Sequence, residues 1–568
     1  MRQGTPRPNN GAQPKHGKFA VPPEIRALKP KDPPCMVKPS KNGYYVCERL
    51  RIPDPNHPGK MKNASGKTIG HIYNGKYVPL DSEISDLYAE DPDNLDYGAY
   101  AIAVTCSKDV LPRLKRFFSE KDAVNIYVLS IIYFVNHYVP ARDIRELYIQ
   151  SILCKWYPQA TLSENTVGAF IESLGRHNKR RRSVEQSLIE DGSGCYNIDG
   201  HVMLCVSSNN ELADYGAKYE TLGDMQANFM MVFDAKHKRA VSCEAFEGGI
   251  PDKLAVKDTF VAHHFSKSRF RIDSGFYSEE NMGIYRANEC VFTIPVPGTT
   301  ALRKTAMRHL AFTGSFVHER KDKHGKTVYS SIQYMEYTVT GLEEIAERDA
   351  QEDAAAANAE LAKQAKEGEK PRKVYPKKVT KSQYPTDRSI VYRDQLMHDR
   401  LYFDYANLIG DGTHTEEKLA KYDPGFGIIL LRTNDPNTTP EEAYVEYKDR
   451  WPIETYYNYV KNTVEFKALH EENYYTQQGI GFLIIIESLI QAEVAKLIKD
   501  ATLPYIHNMS LDEMVRIAGR QKVALHIDNT WHSNVMKGKI SDMFEYMGVN
   551  VKEDIQKLND AIKNRAID

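Results

Sequence analysis

At Cys195 the hydrophobic period of this 568-residue chain switches from that of a helix to that of a strand, and few folds accommodate the order of elements that begins there. The runs YNIDGHVMLCVSS, NFMMVFDAKHK and RAVSCEAFEG alternate as strands do, with Asp234 to Lys238 as the turn of a hairpin between the last two. Lys253 to Phe265 then reads as a helix, SRFRIDSG as a short strand, Glu279 to Ala287 as a helix and CVFTIPV as another strand. Three antiparallel strands, helix, strand, helix, strand is the order of an RNase H-like mixed five-stranded sheet, and that is the fold expected for this part.

The rest of the chain divides around that stretch. Residues 1–65 form a Pro-rich basic arm with hairpins; from Met1 to Lys62 there are 13 Lys plus Arg against 4 Asp plus Glu, an excess of 9 in a chain whose net charge is −1. Such an arm suits an electrostatic contact with nucleic acid, and equally a disordered solubilising tail. Residues 66–190 read as mainly helical: AVNIYVLSIIYFVNHYV, RDIRELYIQSILCKWY and SENTVGAFIESLGRH are amphipathic, the last with Ser163 as N-cap, as in the second helix of a helix-turn-helix. It leads into Lys179, Arg180, Arg181 and Arg182, a basic cluster suited to phosphates, or simply a charged helix end. Residues 191–296 hold the first part of the α/β core, and in 297–440 the α/β rhythm gives way to a β-rich insertion. Within it, 342–378 is low-complexity, either an exposed helix or disordered. Residues 441–500 return to the core, and 501–568 are helical. The expectation is a multidomain α/β protein with a helical DNA-binding region ahead of its core.

Composition excludes several classes. The eight cysteines show no CxxC spacing or His-rich partner, so no zinc site is expected and the thiols are read as reduced. No apolar leader opens the chain, and the longest apolar run, Gly481 to Ile490, is too short to span a bilayer and is interrupted by Glu487. The expectation is a cytoplasmic protein with no membrane partner.

Chemistry concentrates at three carboxylates. Asp199 ends or interrupts the first strand of the expected sheet and Asp273 sits at the end of the fourth, each before a small residue; in an RNase H-like sheet those strands are neighbours. Glu454 lies in YKDRWPIETYYNYVK with Tyr447, Arg450 and Lys461. On a helix their offsets of three, seven and fourteen residues put all four side chains within a wedge of roughly 60°. One face then carries an anion, two cations and a phenol, the mixture needed to hold a divalent ion beside phosphodiester oxygens. The plain alternative is a solvated helix with an Arg450–Glu454 pair, and an isolated Asp before Gly or Ser is often only a turn residue. Asp214, Asp224 and Asp234 fall in loops and are assigned no chemistry. Three oxygen donors suit Mg²⁺ or Mn²⁺.

In the order Asp199, Asp273, Glu454 with Tyr447-x2-Arg450-x3-Glu454-x6-Lys461, the chain resembles the DDE transposases of the insertion-sequence-four group; EAFEGGIPDKL and RIDSGFYSEENM are further matches. The resemblance covers about Cys195 to Lys499. It implies a retroviral-integrase-like core interrupted between its last strand and the helix of the third acid. It also implies a triad that binds two Mg²⁺ ions (Mn²⁺ substituting), cuts at terminal inverted repeats through a hairpin, and joins 3′ ends to target DNA in a homodimeric synaptic complex. Tyr447, Arg450 and Lys461 would contact phosphates near the cut, and Trp451 is a candidate to stack on an extruded base, although a Trp there more often packs in a core. Competing readings are a domesticated RNase H-like DNA-binding protein and a structure-specific nuclease. A haloacid-type phosphatase would need a second Asp two residues after Asp199, where this chain has His201.

Overall fold

The computed structural model describes the chain apart from residues 1–20, 32–33, 41–42, 55–56, 58–59, 74–75, 80–93, 138, 206, 208, 216–224, 251, 322–325, 365–371, 449–467, 470–472, 527, 529, 535–537 and 566–568. It divides into two compact units, Met1–Asn94 with Ala524–His532, and Leu95–Val523 with Ser533–Asp568.

The first unit is built on a four-stranded antiparallel meander: β1 (Cys35–Ser40), β2 (Gly43–Pro53), β3 (Met61–Tyr73) and β4 (Lys76–Pro79), in that spatial order. Cys35, Val46 and Ile72 form its small core, with Ile25, Leu28 and Val37 packed on it. β2 and β3 are much longer than their outer partners, and only their Gly43-proximal ends are flanked.

In the second unit, α1 (Glu120–Asn136), α2 (Ala141–Ile149), α3 (Glu164–Arg176) and α4 (Asn178–Glu190) precede the main sheet. Ser163 caps α3, its backbone N–H donating to Thr166 Oγ1 at 2.9 Å. α1 is buried along most of its length, because Val, Ile, Leu and aromatic residues occupy every side of it rather than one stripe. No single helix among the described residues is long and apolar enough to cross a membrane.

The chain then runs through β5 (Cys195–Cys205), β6 (Met225–Asp234), β7 (Arg239–Glu247), α5 (Asp252–Ala262), β8 (Arg269–Ile272), α6 (Glu279–Ala287) and β9 (Val291–Pro295). In the sheet these strands lie in the order β7-β6-β5-β8-β9; β5, β8 and β9 are mutually parallel, and β6 and β7 run antiparallel by hairpin. Asp234 ends β6 fully buried and organises the hairpin turn: its carboxylate accepts from Ser193 and from the N–H groups of Lys236 and His237. Burial alone would raise its pKa, but these bonds outweigh it and hold the carboxyl below the usual range.

The β-rich stretch after β9 does not form a sheet of its own. α7 (Ala301–Arg308) is succeeded by β10 (Gly314–Lys321), β11 (Thr327–Thr338), the 26-residue helix α8 (Val339–Gln364), β12 (Arg388–Asp394) and β13 (Ile428–Thr433). β13 pairs with β9 on one side and β12 on the other, so β10-β11-β12-β13 continue the core into one eleven-stranded sheet. Alternation decides its two faces. Val391, Ile428 and Leu430 pack with Met335, Ala306 and Leu342 under α7 and α8, while Ile390, Tyr392, Ile429 and Leu431 pack with Ala443 and Tyr444 of α9 (Pro440–Lys448). Of the low-complexity stretch, the part up to Gln364 is helix, tied down at Leu342, Glu343, Ala346, Asp349 and Ala354.

β14 (Ala468–Leu469) returns parallel to the far end of β5, and α10 (Tyr474–Asp500) packs between α3 and β7. The sequence permits this tight crossing through glycine: a Cβ at Gly479 would sit 2.1 Å from Ile171 O, and one at Gly175 1.7 Å from Tyr475 O.

Candidate active site on two neighbouring parallel strands

Register puts the two aspartates side by side. On β5 and β8, Tyr196 is opposite Phe270 and Ile198 opposite Ile272, so Asp199 and Asp273 each stand one residue past the last paired position. Adjacent strands lie about 4.8 Å apart, which sets the scale of the separation between their backbones. Parity gives the direction. Tyr196 and Phe270 enter an aromatic cluster with Phe260 of α5 and Tyr285 of α6, at ring-centroid distances of 5.2–5.8 Å. Asp273 keeps an extended backbone (φ −81°, ψ 161°), so both carboxylates emerge on the opposite face.

Both acids are half-buried. Asp199 Oδ1 accepts from Gly200 N at 2.9 Å, and Asp273 Oδ1 from Ser274 N at 2.7 Å, capping the short turn Ser274–Phe276. A turn-capping role and a ligand role are compatible here, since a carboxylate has lone pairs beyond one accepted bond.

The turn after Asp273 is anchored by a residue that sequence patterning did not single out. Arg432 of β13 is fully buried. Its Nε donates to Asp387 at 2.8 Å, Nη1 to Glu279 at 2.8 Å and to the Tyr277 hydroxyl at 3.1 Å, and Nη2 to Ser382 Oγ at 2.7 Å. Arg286 of α6 also contacts Asp387. One guanidinium therefore joins the residues just after Asp273, the last strand before α9 and the 382–387 segment of the insertion. The only advance signal was Glu279, which sits within RIDSGFYSEENM.

Of the Tyr-Arg-Glu-Lys face, Tyr447 is described and Arg450, Trp451, Glu454 and Lys461 lie outside the described residues. Tyr447 is partly buried against the core that holds Tyr444 and Ala443, on α9. It also acts electrostatically on Arg303, whose pKa is lowered by burial with Tyr447 opposing the shift. The Asp394 carboxylate accepts from the Tyr444 hydroxyl at 2.6 Å and lies 3.5 Å from Lys448 Nζ, and so fixes the last described turn before the segment carrying Glu454.

The basic cluster opens α4, and its members differ. Arg181 is buried, donating to the carbonyls of Gln478 and Gly175 at 3.4 and 3.3 Å, and so binds α4 to α10 and α3. Arg182 meets Glu244 at 3.1 Å, and Arg180 lies 3.8 Å from Asp122. Lys179 is exposed.

Beside them is a group with no motif spacing. The ligand atoms of Glu185, Glu244 and His263 lie within 4.8 Å of one another, close enough to hold a metal ion. His263 Nε2 is 2.9 Å from Glu185 Oε2 and 3.1 Å from Ser242 Oγ. Arg182 pairs with Glu244 at 3.1 Å, whereas Arg181, one turn before Glu185, donates to the Gln478 and Gly175 carbonyls instead. All eight cysteines are free thiols.

No protein-family model matches the chain, and no curated protein matches it. Among solved structures, it is similar to a piggyBac transposase in a cryo-EM synaptic complex with hairpin DNA, at 8% identity and a TM-score of 0.33, covering 75% of this chain and 80% of that one. A likeness that distant supports neither a fold nor a function by itself.

Proposed function

We propose that the chain is a metal-dependent DNA transposase of the insertion-sequence-four group, in which Asp199, Asp273 and Glu454 form the catalytic triad of an RNase H-like core. The observation that carries this reading is the parallel register of β5 and β8, which leaves Asp199 and Asp273 adjacent and on one face. The order β7-β6-β5-β8-β9 supports the fold, and the Tyr447-x2-Arg450-x3-Glu454-x6-Lys461 signature supports the family.

The donor set fits hard cations. Asp199 within β5 and Asp273 just past β8 would offer carboxylate oxygens from neighbouring strands, and Glu454 would supply the third. Two Mg²⁺ ions, when bound, supply Lewis-acid activation of the attacking oxygen and neutralise charge at the scissile phosphorus. The chain's own work is to hold these oxygens rigidly and to orient DNA. Arg450 and Lys461 would fix the phosphates beside the cut, with Tyr447 flanking them and Trp451 stacking on an extruded base. Lys179 and Arg180 are the members of the α4 cluster best disposed to meet a phosphate. Terminal inverted repeats and target DNA are the partners, handled by a homodimer, with a hairpin at the excised end.

The test is cleavage of a duplex that carries the DNA flanking the gene, by purified protein with Mg²⁺. Asp199→Asn, Asp273→Asn and Glu454→Gln should each abolish strand cleavage while DNA binding stays largely intact. Cleavage that persists in any one of the three removes that residue from the metal site.

A further inference from the structure

The first unit carries a projecting two-stranded ribbon that the catalytic reading does not use. β1 covers β2 only from Gly43 to Glu48, and β4 covers β3 only from Gly70 to Tyr73. Beyond them Arg49 to Pro53 pair with Met61 to Ser65 and, apart from the Arg49 N–H that donates to Pro34 O at 2.8 Å, have no partner on their outer side among the described residues. Both sides of this ribbon face solvent: Arg49 to Pro53 are exposed, as are Met61, Lys62, Asn63 and Ser65. Its apolar members are exposed too, Leu50 by 46%, Ile52 by 37% and Met61 by 55%, although isolated ribbons are marginal in water.

Pairing sorts the side chains. Arg49 is opposite Ser65 and Arg51 opposite Asn63, so guanidinium, hydroxyl and amide groups share one face, while Leu50 and Ile52 share the other with Ala64 and Lys62. Arg49, Arg51, Lys60 and Lys62 make no ion pair among the described residues, and no acid lies within 49–53 or 60–65. Asp54, at the tip, faces His57 Nδ1 at 3.1 Å.

We infer that this ribbon enters the major groove of duplex DNA, with Arg49, Arg51 and Asn63 reading base edges and Lys60 and Lys62 meeting the flanking phosphates. A two-stranded ribbon fits a groove about 12 Å wide, and the fork of Arg and the amide of Asn match the edges of guanine and adenine. Five residues per strand reach about 17 Å, or roughly five base pairs. The choice of duplex DNA as partner rests on the transposase reading; the charge and the geometry belong to the ribbon.

The experiment uses the full chain and a fluorescein-labelled duplex cut from the DNA flanking the gene, with anisotropy read across a salt series and dimethyl sulfate protection read at guanine N7. Arg49→Ala/Arg51→Ala should weaken binding about tenfold or more and abolish guanine protection, whereas Lys60→Ala/Lys62→Ala should lower the salt slope by about two and keep the protection. Arg49→Lys/Arg51→Lys should not restore the protection, because lysine keeps the charge but not the fork. Unchanged binding in the arginine-to-alanine variant, an unchanged slope in the lysine-to-alanine variant, or tighter binding of the unmodified protein to the same sequence as single strand or RNA each overturns the inference. Cleavage assays on Asp199→Asn report separately on the catalytic reading, so either idea can fail alone.

Discussion

Arg432 shows how much a single side chain organises near the candidate site. It has five polar partners and no exposed surface. Removing the guanidinium leaves the buried Asp387 carboxylate with Arg286 alone and takes the cation from partly exposed Glu279, so Arg432→Met should cost about 3 kcal/mol in urea unfolding. Its effect should also depend on pH. Burial pushes the Glu279 carboxyl up, but bonds from Arg432, Ser382 and the Gln383 N–H outweigh that and hold it below the usual carboxylate range. A depressed carboxylate stabilises the fold fully above its unfolded pKa, and that contribution is lost as pH falls through the native one. In Arg432→Met the depression should disappear, and acid unfolding followed by circular dichroism should begin at higher pH than in the parent. None of this was legible beforehand, because in IILLRT an arginine after four aliphatic residues reads as the polar end of a strand. That Asp199 and Asp273 stand on neighbouring strands followed from the strand order, although β5 runs on six residues past Asp199. Whether Glu454 joins them depends on a segment outside the described residues.

At the scale of elements, local signals did well and pairing signals did not. The strand–helix order from Cys195 to Val296, the Ser163 cap and the buried helix near the C-terminal end come from periodicity and turn chemistry, which are written in consecutive residues. That β10 to β13 would continue the core sheet was not readable, since alternation sets which face a residue takes but not which strand lies beside it. The Glu185, Glu244 and His263 group was invisible for a related reason: its members come from α4, β7 and the end of α5 and meet only through packing. The α3–α10 crossing gives a direct test of the packing account. Gly479→Leu would force atoms into the Ile171 carbonyl, and the helices would have to separate. Overpacking of this kind costs about 1–3 kcal/mol or more, so thermal unfolding should move down by several degrees. An unchanged midpoint would mean that the helices are less tightly seated than these glycines require. Gly168, where an added Cβ meets nothing within 4 Å, supplies the control: Gly168→Ala should hold or raise stability by improving helix propensity.

For the molecule as a whole, the depressed carboxylates act together. Asp234, Glu279, Asp394 and Asp435 are all held below the usual range by hydrogen bonds or nearby cations that overcome the effect of burial. The intact chain should therefore keep a stability plateau at neutral pH and lose it progressively below about pH 4. A denaturant midpoint that stays flat from neutral pH down to strongly acid conditions would contradict this. Overall charge gave little guidance: a net value of −1 conceals a strongly basic first stretch, and only the local count pointed to nucleic acid.

The seam between β9 and β13 has a practical consequence. A segment that shares a sheet with its host cannot be trimmed away like an appendage, because deleting residues 297–440 would strip β9 of its neighbour and expose a raw hydrogen-bonding edge. Shortened versions of this protein should clump rather than simplify. A trimmed version would do better to shorten the end of the Val339–Gln364 helix beyond Ala354, where its buried positions stop, than to unzip the strands beneath it.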